Sequence, residues 1–322
     1  MNKEILHKKL ALAHLPTPIQ KVEFNGCKFF IKRDDLTGLE MSGNKVRKLE
    51  YLLFKAKKEN VDYVFTCGGD QSNHCRATVA AAVSCNIKSK VFLWGSDSKN
   101  AEGNLFFNKF LGAEIKYLNL KEYHNVKEIM NCEATKYAKK NKKVLVIPEG
   151  GSSEEGILGY VSFIPELFEQ TDFNSFKGIL TAAGSGGTAA GLLAGTELFN
   201  VPLKIYAVNV FLTGQQMKEK IILLANNTLK LLDPKLKVNG DRLHIIDGYC
   251  KEGYKSISED KLKVIKDFAR QTGIVLDPAY TGKAFKAYAD YFLKSGKTSK
   301  VLFLHTGGLF GIFPKRKQYL AV

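Results

Sequence analysis

The chain has 322 residues, 45% of them hydrophobic and 25% charged, which is ordinary for a soluble protein that buries a sizeable core. That length exceeds the usual span of one core, so two lobes or a domain with a large insertion are expected. The formal charge of +16 is carried in short clusters (Lys8-Lys9, Lys57-Lys58, Lys139-Lys140, Lys142-Lys143) with no aromatics interleaved, which argues against a nucleic-acid surface.

Taken in chain order, the opening residues show no export signal, and no run of about 18 apolar residues follows anywhere, so a cytoplasmic protein without membrane spans is expected. Val46, Leu49, Leu52, Leu53 and Ala56 recur at helical spacing. They predict a helix starting near Asn44 or Lys45, with Ser42 or Asn44 as its cap. From there on, short apolar runs alternate with helical patterns. Strands are predicted at 63–65, 91–94, 115–118, 144–147, 178–181, 205–210, 243–246 and 301–304. Helices are predicted at 77–83, 105–111, 188–197 and 259–271. This alternation predicts an α/β fold of mostly parallel, open twisted sheets with helices on both faces. Residues 49–160 are expected to form a small inserted α/β domain within a larger one made of 1–48 and 161–322. The six cysteines show no C-x-x-C pair and no zinc spacing, so they read as reduced structural thiols and no metal is expected.

In sheets of this kind ligands gather beyond the carboxyl ends of the strands, which directs attention to the glycine-rich loops there. Gly184, Ser185, Gly186, Gly187 and Thr188 join a strand to a helix. Glycines admit an anion close to the backbone, and the helix start offers free N–H groups, so a single phosphate is favoured. A dinucleotide is the rival, but the strand at 205–210 ends without the acidic residue a ribose needs; a plain structural turn is the other alternative. Gly68-Gly69-Asp70-Gln71-Ser72-Asn73-His74 is a second such loop. Its consecutive polar side chains suit a carboxylate, although Ser72 or Asn73 could serve merely as a helix cap. Tyr280 sits in a Pro- and Gly-punctuated turn at 276–283, expected to lead from a strand into a helix, where a tyrosine more often packs than reacts. His305-Thr306-Gly307-Gly308 follows the last strand as a glycine turn. Lys45 falls in the first turn of its helix, the unfavourable end for a cation. A positive helix end would lower its pKa slightly and favour a neutral, nucleophilic amine.

Together these segments resemble the D-cysteine desulfhydrase and 1-aminocyclopropane-1-carboxylate deaminase family of fold type II (tryptophan-synthase-β-like) pyridoxal-phosphate enzymes. The resemblance rests on Ile31-Lys32-Arg33-Asp34-Asp35-Leu36, on Ser42-Gly43-Asn44-Lys45-Val46-Arg47-Lys48-Leu49-Glu50 and on Gly68-Gly69 with Gln71-Ser72-Asn73-His74-Cys75-Arg76. It extends through 184–188, Asp277-Pro278-Ala279-Tyr280-Thr281-Gly282-Lys283 and His305-Thr306-Gly307-Gly308. Residues 211–250 carry no match.

The resemblance implies a cofactor, pyridoxal 5'-phosphate, carried covalently by Lys45, with its phosphate in the loop Gly184 to Thr188 and Lys48 close by. It implies that Asn73 meets the ring oxygen, that Ser72, Asn73 and His74 receive a substrate carboxylate, and that Tyr280 and Tyr254 are active-site tyrosines. Deaminase members carry Glu where this chain has Thr281 and Leu where it has Thr306; desulfhydrase members carry hydroxyls at both, which implies that Thr281 and Thr306 contact the cofactor, with a neutral threonine hydroxyl at its ring nitrogen. The expected activity is therefore β-elimination from D-cysteine to pyruvate, ammonia and sulfide by a homodimer. The alternatives are the cyclopropane deaminase, a cysteate sulfo-lyase and a non-catalytic phosphate- or nucleotide-binding α/β protein. Asp70 stands where relatives often carry an apolar residue. Arg47 is expected to make a structural ion pair.

Overall fold

The computed structural model describes residues 2–172, 175–211, 213–253, 256–293 and 299–321. Its strands are β1 Ile19–Phe24, β2 Cys27–Lys32, β3 Tyr63–Gly69, β4 Lys88–Trp94, β5 Glu114–Leu118, β6 Val144–Val146, β7 Gly178–Ala183, β8 Lys204–Asn209, β9 Leu243–Ile246 and β10 Val301–Leu304. The helices of the first half are α1 Asn44–Lys58, α2 Asn73–Ser84, α3 Gly103–Phe110, α4 Leu120–His124, α5 Val126–Ala138, α6 Leu158–Val161 and α7 Phe163–Gln170. Those of the second half are α8 Gly187–Leu198, α9 Gly214–Leu232, α10 Glu259–Thr272, α11 Thr281–Phe292 and α12 Arg316–Ala321.

The strands form two sheets, a six-stranded one in the order β1-β2-β10-β7-β8-β9 and a four-stranded one in the order β5-β4-β3-β6. Every pairing is parallel except β1 with β2, an antiparallel hairpin at the edge of the larger sheet. All six residues of β7 are buried, as a central strand covered on both faces requires. Its neighbours show the two layers. Ile179 packs into a core with Leu192, Leu193, Met217 and Ile221 from α8 and α9. Leu180 faces the opposite core, with Ile265, Phe268 and Phe285 from α10 and α11. That second core is rich in aromatic contacts, among them Phe24 against Phe268 and Phe285 at ring distances of 5.6 and 5.3 Å.

The expected α/β architecture of mostly parallel sheets is what the chain adopts. Three local expectations differ. α2 starts at Asn73, four residues before the predicted 77, because Ser72 caps it by accepting from the Cys75 N–H. The turn at 276–283 is not preceded by a strand. Residue 43, not Ser42 or Asn44, precedes α1, and no side chain caps that helix. Gly43 has a φ of 102°, and a Cβ there would run into the Thr306 carbonyl oxygen. No helix among the described residues is long and apolar enough to cross a membrane.

Candidate active site

A cavity lies where the carboxyl ends of both sheets converge. β7 delivers Gly184, Ser185, Gly186, Gly187 and Thr188; β3 delivers Gly69, Ser72, Asn73 and His74; β10 delivers Thr306 and Gly307. Asn44 and Lys45 enter from α1, and Trp94, Glu149, Gly150, Phe211 and Tyr280 complete the wall. Lys48, Thr281 and Asp277 lie just outside it. Tyr254 lies outside the described residues.

The loop 184–188 is shaped by contact. Gly186 has a φ of 83° and begins α8, whose first residue is Gly187. A Cβ at Gly187 would collide with Ser152 Oγ and Lys48 Nζ, and one at Gly184 would lie 3.0 Å from the Tyr280 ring. Ser185 Oγ meets Ser152 Oγ at 2.8 Å. Lys48 is buried beneath the loop, where its amine donates to the Gly150 carbonyl at 3.0 Å and to Ser152 Oγ at 3.1 Å. Neither partner is anionic. Burial and the charges of Lys45 and Lys220 hold the Lys48 amine well below its usual range.

Lys45 stands in the first turn of α1. Burial lowers its amine to about 8, against the opposing pull of Glu149 and Asp277. Desolvation of this half-buried side chain among loops from both sheets is the leading cause, rather than the helix end invoked from the sequence. The amine has no hydrogen-bond partner among the described residues. His74 is likewise pushed well below its usual value by burial and by Lys45 and Lys48, so it is neutral; its Nε2 sits 2.7 Å from Thr66 Oγ1.

The loop 68–74 is braced from behind. Asn104 Nδ2 donates to Asn73 Oδ1 at 2.9 Å, which leaves the Asn73 amide N–H groups for a ligand. Gln71 accepts from the Asn104 N–H at 3.0 Å. Arg76, buried on α2, donates to the carbonyl of Glu40 and, at 2.9 Å, to that of Ser42, and so ties this loop to the segment just before Lys45.

Thr306 faces the cavity, whereas Thr281 is fully buried. The Thr281 hydroxyl donates to Asp277 Oδ1 at 2.7 Å and accepts from the Asp277 N–H at 2.8 Å. Asp277 also accepts from the backbone N–H groups of Ala279, Tyr280 and Thr281 at the start of α11. Burial raises its carboxyl pKa despite these bonds. Sequence reading passed over Asp277, Asn44, Trp94 and Glu149. Asp277 and Asn44 did carry a signal, their places in the motifs that hold Tyr280 and Lys45.

The loop 184–188 sets a glycine-lined helix start beside Lys45 and the buried Lys48, and the charge of Lys45 helps to depress the Lys48 amine. The family model of the pyridoxal-phosphate dependent enzymes matches residues 10–307. The chain belongs to this family. A putative 1-aminocyclopropane-1-carboxylate deaminase of Thermotoga maritima is 39% identical over 317 residues, covering 96% of this chain and 99% of the relative. A mitochondrial bifunctional D-cysteine desulfhydrase/1-aminocyclopropane-1-carboxylate deaminase of Arabidopsis thaliana is 36% identical, covering 96% and 80%. The crystal structure of an ACC deaminase homologue superposes with a TM-score of 0.90 at 34% identity, covering 100% of this chain and 99% of that one.

The residues present fit the family's cofactor. An unpaired, partly neutral amine suits covalent attachment to an aldehyde. A glycine loop at a helix start with a buried lysine beneath it suits a phosphate. Among the described residues no cluster of His, Cys, Asp and Glu could hold a metal ion.

Proposed function

We propose that the protein is a pyridoxal-phosphate-dependent β-elimination lyase that converts D-cysteine, first among small β-substituted amino acids, to pyruvate, ammonia and sulfide. In this reading Lys45 holds the cofactor through its amine, and the loop 184–188 with Lys48 holds the phosphate. The Asn73 amide donates to the ring oxygen. The backbone and side chains of Ser72, Asn73 and His74 receive the substrate carboxylate. Lys45, freed by the incoming substrate amine, takes the proton from Cα. Tyr280 packs over the site from the Gly184 side, and Tyr254 is assigned beside it by family resemblance. The bound cofactor supplies the electron sink for the charge left at Cα. Sulfide then leaves from Cβ with the bonding electron pair. We further assign the protein to the cytoplasm, as a homodimer.

The observation that carries the choice of reaction is the hydroxyl pair Thr281 and Thr306. Opening a cyclopropane ring has no α-proton to remove and benefits from a carboxylate that keeps the ring nitrogen protonated; expelling a thiolate does not need one. The second reading, 1-aminocyclopropane-1-carboxylate deamination, is favoured by the name of the Thermotoga relative. Release of sulfide from D-cysteine against release of 2-oxobutanoate from the cyclopropane amino acid decides between them.

The first test is the covalent link. Purified protein with pyridoxal phosphate is expected to show a visible absorbance band that borohydride removes, leaving the cofactor fixed to Lys45. Lys45→Ala should lose that band and turnover together. Protein that takes up no cofactor ends this reading.

A further inference from the structure

Beyond the cavity of Lys45 lies a second one of about 340 Å³, joined to it at Asn73 and Tyr280, which line both. One of its walls is the turn 277–280 ahead of α11. Another is built where two distant segments meet, the loop between β4 and α3 and the stretch 311–315 near the end of the chain. They are seated closely. Gly103, at a φ of 56°, leaves no room for a Cβ beside the Phe310 carbonyl oxygen and Pro314. The rings of Phe107 and Phe310 lie 4.6 Å apart, and Arg316 pairs with Glu102.

Several polar groups on these walls are engaged within the protein. Gln71 accepts from the Asn104 N–H and donates to the Glu102 carbonyl at 3.1 Å. Asp70 Oδ1 accepts from the Gln71 N–H at 2.9 Å. Asp277 takes up the N–H groups at the start of α11. Between them the walls present apolar surface from Ala101, Leu105, Pro278, Ala279 and Pro314. Such a cavity suits a neutral apolar group, and one of about 150 Å³ already holds a benzene ring. In the lyase reading Asn73 and Tyr280 stand beside cofactor and substrate, so a substituent on the substrate's Cβ can extend past them into this space. The bare thiol of cysteine needs none of it.

We propose that the second cavity receives the apolar sulfur substituent of thioether amino acids, S-alkyl and S-arylalkyl D-cysteines, so that the protein eliminates larger thiols as well as sulfide. The inference rests on the lyase reading and deepens it by naming a wider substrate class. The step balances as sulfide release does. Lys45 takes the proton from Cα, the Cβ–S bond breaks, and the thiolate leaves with the bonding electron pair and is protonated by solvent. Hydrolysis of the remaining three-carbon fragment gives pyruvate and ammonia.

D-cysteine, S-methyl-D-cysteine and S-benzyl-D-cysteine test this with the holoenzyme, pyruvate being read for all three and phenylmethanethiol for the last. KM is expected to fall along that series by at least about fivefold in all, because each larger substituent leaves water for the apolar walls. Ser98→Trp and Ala101→Phe each fill the cavity from the loop before α3. Either should raise KM for S-benzyl-D-cysteine at least about tenfold and leave that for D-cysteine within about twofold. Both substrates are read on the same preparation, so a loss of folded protein does not mimic the split. Sulfide from D-cysteine without phenylmethanethiol from S-benzyl-D-cysteine overturns the proposal and leaves the lyase reading standing. So does a KM ratio that neither variant moves. A holoenzyme that acts on none of the three overturns both.

Discussion

Lys45 shows what a residue's sequence position conveys and what it does not. Its place in the first turn of α1, between a glycine and an apolar stripe, was legible and marked it among many lysines. The size of its shift was not, because the lowering to about 8 comes from burial between loops distant in sequence. The shift carries a direct prediction. The neutral amine is the reactive form, so the rate at which cofactor-free protein takes up pyridoxal phosphate should rise with pH through a midpoint near about 8, well below an ordinary lysine. Stopped-flow absorbance against pH reads it; a profile that climbs only above pH about 10 removes the claim. Gly187 belongs to the same scale. A Cβ there has no space between Ser152 and Lys48. Gly187→Ala should weaken cofactor binding by at least about tenfold with the circular dichroism unchanged, since that contact forms the anion cradle rather than the core.

At the scale of elements, the apolar runs of β3, β4, β7, β8 and β10 were readable because buried parallel strands are continuous in hydrophobicity. The hairpin β1–β2 was not read. β1 mixes exposed and buried residues, as an edge strand does, and gives no apolar run. α9 was missed as well: its buried residues, Met217, Ile221, Ala225, Thr228, Leu229 and Leu232, lie on one face, but the segment had no motif to draw attention to it. Arg47 was correctly expected in an ion pair. The structure shows more, a buried network that pins α1 to the hairpin and α7. Arg47 Nη2 donates to Asp34 Oδ1 at 2.8 Å and Nη1 to Glu166 Oε2 at 2.6 Å, while Lys32 Nζ reaches Glu166 Oε1 at 2.7 Å. Burial opposes ionisation of Glu166, but Arg47 and Lys32 more than offset it and hold the carboxyl at about 2, from 4.5. A carboxyl with a depressed folded pKa stabilises fully above its unfolded value and loses that contribution as pH falls through the folded one. The contribution, about 3 kcal/mol, should therefore disappear between pH about 4.5 and 2. Glu166→Gln should be less stable at neutral pH by a similar amount and lack this dependence. Denaturant midpoints across that range are the measurement, and parallel curves for the two proteins would contradict it.

At the scale of the whole molecule, the site draws on both sheets, so any ligand that fills it joins them. Pyridoxal phosphate at about 100 times its Kd should add about 2.7 kcal/mol to stability, seen as a rise in Tm that Lys45→Ala abolishes. The cysteines are distributed with the same large-scale order. Cys27, Cys67, Cys75 and Cys85 are buried, Cys250 is half-buried and Cys132 is exposed on α5. Titration of the native protein with a thiol reagent should count Cys132 and Cys250, with the remaining four reacting only after unfolding.

That placement matters for a site proposed to handle a thiol. Cys67 and Cys75 flank the loop 68–74 in the chain, and both are buried. Burial pushes Cys67 up to about 12 and raises Cys75 as well. Only a thiolate attacks a disulfide, and these two remain protonated. Cystine or persulfide accumulating around such an enzyme would find no nucleophile flanking the loop to form a mixed disulfide. Any thiol exchange in the native protein is therefore expected at Cys132 and Cys250, away from the loop 68–74.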